Sequence, residues 1–196
     1  MKINEEIEKY LEKQNECVSN IKKNQIQTIE EIFNHLIKCR ENENRIFLIG
    51  NGGSASTASH FTSDLLKTAI TKGSKHFKAY SLTDNMPVVL AWANDLSYDN
   101  IFQNQLENQI EKNDILISLS GSGNSTNIIK ANEYANKVLA HTIAFTGNDG
   151  GKLAKIAKIS LVVPSNDMLT IESMHLSICH LLITMIRNQG EPMFRY

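Results

Sequence analysis

The sequence is poor in the features that mark several classes of protein. Its 196 residues include only three cysteines and three prolines, and 20 lysines and arginines nearly balance 21 aspartates and glutamates. The three cysteines (Cys17, Cys39 and Cys179) are too few and too scattered for a disulfide framework. So little proline excludes a low-complexity chain. A net charge of −1 provides no general attraction to nucleic acid or to an anionic membrane surface.

The sequence also lacks a membrane or targeting signal. No apolar run approaches the roughly 20 residues that a bilayer-spanning helix needs. Residues 2–16 are polar and acidic, unlike a signal peptide or a transit peptide. We therefore expect a cytoplasmic protein with reduced thiols, which binds neither nucleic acid nor membrane.

The spacing of hydrophobic residues predicts an α/β protein. Apolar residues recur at three- and four-residue steps through residues 2–42, which predicts one or two long helices with a break near residues 20–24. Short apolar runs then alternate with helical patterns. The predicted strands are 45–50, 77–82, 114–119, 141–146 and 159–163, and the predicted helices are 54–67, 87–94, 98–111, 124–137, 152–157 and 168–188.

This alternation predicts a mostly parallel sheet with helices on both faces, because parallel strands need crossover connections. The sequence contains no internal repeat and no linker, so residues 1–196 are expected to form a single domain. The helical extension at residues 1–44 has little to pack on within its own chain. We expect it to bury its apolar stripe against a partner subunit.

Two predicted strands end in loops that are rich in glycine and serine, at residues 50–56 and 118–125. Each loop leads into a helix, whose first backbone N–H groups can bind an anion while glycine permits close approach. Neither loop has the spacing of a P-loop or of a dinucleotide-binding fingerprint, so a nucleotide cofactor is not expected. A tight turn with a serine cap would explain one such loop, but two in one sheet favour a phosphate ligand.

Two histidines and two carboxylates are spaced to share helix faces. His60 and Asp64 are four residues apart, and Glu172 and His180 are eight apart. Such a set is typical of a divalent metal site or of an acid–base pair. The alternative is a carboxylate in the first turn of a helix together with two buried histidines of the core. Spacing leaves both interpretations open.

Short motifs follow one another along nearly the whole chain: GNGGSA at 50–55, ASHF at 58–61, AND at 93–95, SGSGNS at 120–125, TG at 146–147 with DGGKLA at 149–154, VPS at 163–165, and IE at 171–172 with His175 and His180. In this order they resemble the sugar isomerase (SIS) domain proteins, and within them the phosphoheptose isomerases.

The resemblance implies a flavodoxin-like SIS fold with a five-stranded parallel sheet, and a homotetramer with active sites between subunits. It implies conversion of D-sedoheptulose 7-phosphate to D-glycero-D-manno-heptose 7-phosphate, which supplies heptose for lipopolysaccharide, capsule or other surface glycans. It also implies one zinc ion per subunit, held by His60, Asp64, Glu172 and His180. The implied catalytic residues are Asp64, Glu172 and His180, and the implied substrate contacts are Asn51, Gly52, Gly53, Asp64, Asn94, Asp95, Ser120, Gly121, Ser122, Ser125 and Glu172.

Two positions depart from the family pattern, which usually has Glu where this chain has Asp64 and Gln where it has Glu172. These departures leave an isomerase of another sugar phosphate as one alternative. A second alternative is a non-catalytic SIS binding protein, similar to the factor that associates with the bacterial replication initiator. That alternative predicts loss of the acid–base pair, whereas His180 and both carboxylates are present, so we expect an aldose–ketose isomerase.

Overall fold

The computed structural model describes residues 2–194, in which five strands form one parallel sheet. The strands are β1 (Arg45–Gly50), β2 (Lys78–Ser81), β3 (Ile115–Ser120), β4 (His141–Thr146) and β5 (Ile159–Val162). Their order in the sheet is β2-β1-β3-β4-β5, and each neighbouring pair is parallel. The predicted five-stranded parallel sheet is thereby confirmed.

Eight α-helices flank the sheet in the described part of the chain. They are α1 (Ile3–Asn24), α2 (Ile26–Glu41), α3 (Gly53–Ser63), α4 (Met86–Asp95), α5 (Gln103–Glu107), α6 (Thr126–Lys137), α7 (Gly151–Ile156) and α8 (Met168–Arg187). The predicted break in the N-terminal helical region falls at Gln25, one residue beyond the expected segment.

Two predicted helices differ from those observed. The helix predicted over 54–67 is α-helical only to Ser63 and continues as a π-helical turn at Asp64–Thr68. The helix predicted over 98–111 is wrong: a 3₁₀ turn at Tyr98–Asn100 is followed by the short α5. In this region Ile101, Phe102 and Leu106 are buried in the core. Their spacing resembles that of a single amphipathic helix, although they belong to two short segments.

Alternate side chains of β1, β3 and β4 enter two different cores, because successive residues of a strand point to opposite faces. Ile46 and Leu48 of β1 pack with residues of α2, α3 and α8. Phe47 and Ile49 pack with residues of α5, α6 and α7. The two cores explain why β1 and β3 are continuous apolar runs in the sequence, as expected for strands that are covered on both faces.

The order of the strands fixes where a ligand can bind. From β1 the chain crosses to β2 on one side and then to β3 on the other, so the connections diverge between β1 and β3. In open parallel sheets, ligands bind at such a switch point, beyond the carboxyl ends of the strands. The two glycine-rich loops follow β1 and β3, and the topology therefore places them side by side.

Two helices leave most of their apolar residues uncovered by the chain itself. Helix α1 buries only Cys17 and Ile21, and α4 buries no residue although it contains the sequence MPVVLAWA. The large apolar side chains exposed on or next to these helices are Ile3, Ile7, Tyr10, Leu11, Val18, Met86, Leu90, Leu96 and Tyr98. The expectation that residues 1–44 have little to pack on within their own chain is wrong for α2, which buries Ile29, Ile32, Leu36 and Cys39 in the core. Within the extension, only α1 leaves most of its apolar residues available to a partner.

Helix α8 has the length and apolar composition of a membrane-spanning helix, although no apolar run of that length was expected from the sequence. Half of its apolar window is buried inside the protein, as is usual for the central helix of a soluble fold. Its buried His175 bonds through Nε2 to the carbonyl oxygen of Thr146 at the end of β4 (3.1 Å). Burial lowers the pKa of His175 to about 4, so this imidazole is a neutral core residue.

The three cysteines are all buried and unpaired. Burial, reinforced by the charge of Asp114, raises the pKa of the Cys39 thiol to about 12. Complete burial also raises the pKa of the Cys179 thiol. Because the thiolate is the reactive form, the thiols of Cys39 and Cys179 are packing groups and not nucleophiles.

A buried carboxylate should make a large contribution to the stability of the sheet. Asp114, whose side chain is 3% exposed, accepts hydrogen bonds from the backbone N–H of Arg45 and of Glu111 and from Nε of Arg45. We expect Asp114→Ala to lower the free energy of unfolding by about 3 kcal/mol, because it leaves these buried donors without an acceptor. Urea denaturation at fixed protein concentration measures this loss.

The matched control is Glu111→Ala, which removes an ion pair with the same arginine from a side chain that is 79% exposed. It should cost less than about 1 kcal/mol. Equal losses in the two variants would contradict the interpretation.

Candidate active site

A cavity of about 290 Å³, which we call the loop cavity, opens between the loops that follow β1 and β3. Eight of the eleven predicted substrate contacts line it. They are Asn51, Gly52 and Gly53 from the first loop, Ser120, Gly121, Ser122 and Ser125 from the second, and Glu172 from α8. The structure thus brings both glycine-rich loops to one cavity at the switch point of the sheet.

The second loop presents hydroxyl groups at the start of a helix. Ser125 is the N-cap residue of α6, yet its side chain makes no capping hydrogen bond, which leaves this hydroxyl for a ligand. Ser120 is buried, and Ser122 is half-buried. Helix N-terminal N–H groups combined with hydroxyl donors suit a phosphate group.

Backbone geometry explains why this loop contains glycine at position 123. Gly123 has φ of +64°, and a Cβ there would lie 2.1 Å from the carbonyl oxygen of Gly150. Any other residue would therefore be strained by its φ and would also force the two loops apart.

The loop at residues 147–152 belongs to a sequence motif for which no role was predicted. In the structure it supports the second glycine-rich loop, residues 118–125, which we call the serine loop. The N–H of Gly147 donates to the carbonyl oxygen of Gly121, and the N–H of Leu153 to that of Gly123. Lys152 donates through its N–H to Oδ1 of Asn124. These bonds hold the serine loop from the side of β4.

Glu172 reaches the cavity from α8 and lies against Gly53, at the start of α3. A Cβ added to Gly53 would lie 2.5 Å from Oε2 of Glu172, so any other residue there would displace this carboxylate. The N-terminus of α3 carries positive partial charge, and this compensates for the negative charge of Glu172.

A second cluster lies further along the same two helices. Nε2 of His60 is 3.1 Å from Nε2 of His180 and 3.4 Å from Oδ2 of Asp64. Nε2 of His180 is 3.8 Å from the same carboxylate oxygen. Both imidazoles are about half-exposed, which rules out the alternative that they are buried core residues. We call His60, Asp64 and His180 the His–Asp–His cluster.

The spacing of this cluster fits one small divalent ion. Zinc binds histidine nitrogen and carboxylate oxygen at about 2.0–2.2 Å with tetrahedral angles, so its ligand atoms stand roughly 3.3–3.5 Å apart. The observed separations of 3.1, 3.4 and 3.8 Å bracket that value. Three protein ligands leave a fourth position for a substrate or for another ligand.

A π-helical turn presents Asp64 to the two histidines. Asp64 is the first residue of this turn, and its Oδ1 accepts a hydrogen bond from the Thr68 hydroxyl (2.9 Å). This bond fixes the carboxylate so that Oδ2 faces the imidazoles. Such turns are rare and often occur at functional sites, and nothing in the spacing of apolar residues announces this one.

Three predicted site residues lie apart from the groups they were expected to join. Asn94 and Asp95 are exposed at the end of α4, and neither lines the cavity between the loops. Glu172 is outside the His–Asp–His cluster. Eight residues of α8 separate it from His180, about 12 Å along the helix axis, so within one chain Glu172 belongs to the loop cavity.

Comparisons with known proteins identify the family of the chain. Residues 9–147 match the SIS domain family. The chain is 36% identical over 174 residues to the phosphoheptose isomerase of Aliarcobacter butzleri, covering 89% of this chain and 92% of the relative. The chain belongs to the phosphoheptose isomerase family of SIS domain proteins.

Solved structures of phosphoheptose isomerases have the same fold. The enzyme of Francisella tularensis superposes with a TM-score of 0.90 at 29% identity, covering 96% of this chain and all of the other. That of Neisseria gonorrhoeae gives a TM-score of 0.89 at 27% identity, over 95% of this chain and all of the other. The expected SIS fold is confirmed.

Sequence reasoning missed two polar residues that bond to Asn51, one of the residues lining the cavity between the loops of this phosphoheptose isomerase. Asn127, in the first turn of α6, exchanges hydrogen bonds with the side chain of Asn51. Tyr98, in the 3₁₀ turn after α4, donates to the same side chain. Asn127 immediately follows the serine loop, which is a signal that sequence reasoning could have used, whereas nothing local connects Tyr98 with Asn51.

The His–Asp–His cluster predicts how the protein binds metal. We expect the purified chain to bind one Zn²⁺ or Co²⁺ per subunit and His180→Ala to weaken binding on the order of ten-fold or more, since loss of a ligand costs at least as much as loss of its supporting partner. Isothermal titration with Zn²⁺ measures the affinity, and the visible absorption of Co²⁺ reports the geometry.

The matched control is Thr184→Ala. Thr184 lies one turn after His180 and lines, with the His–Asp–His cluster, a cleft separate from the cavity between the loops. In the described structure its hydroxyl donates only to the His180 carbonyl oxygen. Metal affinity should be unchanged in this variant, and a loss equal to that of His180→Ala would contradict the assignment.

Proposed function

We propose that this protein is an aldose–ketose isomerase that converts D-sedoheptulose 7-phosphate to D-glycero-D-manno-heptose 7-phosphate. The observation that carries the proposal is the pairing of an anion-binding cavity with the His–Asp–His cluster on the same two helices. We infer the identity of the substrate from the family, since the relatives of the chain are named phosphoheptose isomerases. A cytoplasmic enzyme of this kind would supply heptose for surface glycans such as lipopolysaccharide or capsule.

The serine loop is proposed to hold the phosphate group. Ser120, Ser122 and Ser125 offer hydroxyls beside the N-terminus of α6, where a doubly charged anion is favoured. Asn51, Gly52 and Gly53 line the other wall and are proposed to contact the sugar. Tight binding at the phosphate end would fix the position of the reacting carbon atoms at the other end.

Isomerisation moves a proton between C1 and C2 through an enediolate. We assign proton abstraction to Asp64 or Glu172, and proton transfer at the neighbouring oxygen or carbon to His180. A divalent ion, proposed to be zinc held by His60, Asp64 and His180, would supply Lewis acidity at the substrate carbonyl. Glu172, the fourth ligand implied by the resemblance, lines the cavity between the loops and lies outside the His–Asp–His cluster.

A homotetramer would complete the site. Asn94 and Asp95 are exposed at the end of α4, away from the cavity of their own chain but on the helix that also exposes Met86 and Leu90. Association through α1 and α4 would bury this surface, and it would bring polar residues of one subunit to the site of another.

The isomerase proposal is tested by incubating the protein with D-sedoheptulose 7-phosphate and following formation of the aldose by NMR. We expect turnover by the wild type, and a fall of at least about 10²-fold in kcat for His180→Ala with phosphate binding retained, since acid–base groups contribute this much. The matched control is His76→Ala, an exposed histidine in the segment before β2, which should keep full activity. No product from the wild type would refute the proposal.

The oligomeric assembly is tested by Leu90→Glu. Leu90 is 60% exposed on α4, and a charge there should prevent burial of the helix against another subunit. We expect a smaller species in sedimentation velocity, together with loss of isomerase activity.

Leu139→Glu provides the comparison for this test, because Leu139 is 56% exposed but lies just before β4, an inner strand of the sheet, and not on α1 or α4. The assembly of this variant should equal that of the wild type. A Leu90→Glu protein that keeps the wild-type mass in solution would disprove the role of α4.

A further inference from the structure

The side chain of Asn51 is held by two residues that have no role in the mechanism above. We propose that Asn127 and Tyr98 are positioning residues, which lock the amide of Asn51 in one orientation so that a single N–H remains for the ligand of the loop cavity. The kinetic part of this proposal rests on the proposed isomerase function; the structural part does not.

The orientation of Asn127 is fixed by a backbone group. The N–H of Ile128 donates to Oδ1 of Asn127 (2.9 Å), and a backbone N–H can only donate. The oxygen of the Asn127 amide is therefore identified by its partner, and its nitrogen must lie on the other side. With 2% of its surface exposed, Asn127 is surrounded by protein.

The orientation of Asn51 follows from that of Asn127. Nδ2 of Asn127 donates to Oδ1 of Asn51, and Nδ2 of Asn51 donates to Oδ1 of Asn127, both at 2.9 Å. Tyr98 then donates its hydroxyl hydrogen to the same Oδ1 of Asn51 (2.8 Å). Rotating the Asn51 amide by half a turn would replace its two bonds with Asn127 by one contact between two donors and one between two acceptors. The Tyr98 hydroxyl would then have to accept from Nδ2 of Asn51 instead of donating to Oδ1.

These bonds define what Asn51 can offer to a ligand. A carbonyl oxygen has two lone pairs and an amide nitrogen has two hydrogens, so the oxygen of Asn51 is fully used and its nitrogen keeps one free hydrogen. Asn51 lines the loop cavity. Asn51 should therefore donate a hydrogen bond to a sugar hydroxyl or phosphate oxygen and should not accept one. This restriction depends on Asn127, which orients the amide, and on Tyr98, which occupies the second lone pair of its oxygen.

Kinetics of Tyr98→Phe test the role of the tyrosine. Tyr98 is 54% exposed, so loss of its hydroxyl should leave the melting temperature unchanged. We expect KM for D-sedoheptulose 7-phosphate to rise about five-fold with kcat nearly unchanged, the effect of losing one hydrogen bond that orders a binding group. Tyr80→Phe, which alters a tyrosine of similar exposure on β2, is the matched control and should have wild-type kinetics.

A double-mutant cycle shows whether the tyrosine acts through Asn51. In an Asn51→Ala background, Tyr98→Phe should cause no further rise in KM, because the group that it positions is gone. An equal rise in both backgrounds would overturn the proposal.

A spectroscopic measurement tests the same point without relying on activity. In protein labelled with ¹⁵N-asparagine, the side-chain signals of Asn51 are identified by their loss in Asn51→Ala. They should shift in Tyr98→Phe, and shift further in Asn127→Asp, whose carboxylate accepts from Ile128 but has no hydrogen for Oδ1 of Asn51. Unchanged Asn51 signals in both variants would refute the positioning role, whereas a wild type without isomerase activity would refute only the proposed function.

Discussion

The packing of α3 beside α8 is the contact on which the candidate site depends. The two helices are more than a hundred residues apart in the chain, yet Gly53 of α3 lies against Glu172 of α8, and His60 lies against His180. They therefore run in the same direction with matched spacing, seven residues on one and eight on the other. Buried apolar side chains such as Ala58, Phe61 and Ile178 occupy the core that contains both helices, so hydrophobic packing brings the polar groups together.

The sheet determines the direction of this pair of helices. Helix α3 begins at the carboxyl end of β1, beside the switch point where the two glycine-rich loops meet. Its first turn consequently faces the anion-binding cavity, and its last turn carries His60 away from it by about 10 Å. A ligand with a phosphate at one end and a reacting carbonyl at the other would match this division, since the cavity between the loops and the His–Asp–His cluster lie at different turns of α3 and α8.

The sequence was sufficient to predict those parts of the site that depend on local pattern. Short apolar runs predicted β1 and β3, the glycine- and serine-rich segments after them predicted their loops, and the four-residue step predicted that His60 and Asp64 share a face. The bonds of Asn51 with Asn127 and Tyr98 could not be predicted, because they join residues 76 and 47 positions apart through side chains that make no periodic pattern. The π turn at Asp64 was hidden for a related reason: one helical period continued through it, so the spacing of apolar residues gave no sign of a change.

The two positions at which this chain departs from its family have separate physical explanations. Asp64 is shorter than glutamate, and the bond from Thr68 in the π turn holds its carboxylate within 3.4 Å of His60. Glu172 adds a negative charge, but the start of α3 supplies a positive partial charge at that position, and the absence of a side chain on Gly53 leaves space for it. Because about 12 Å of α8 separates Glu172 from His180, the extra charge lies in the cavity between the two glycine-rich loops and not in the His–Asp–His cluster.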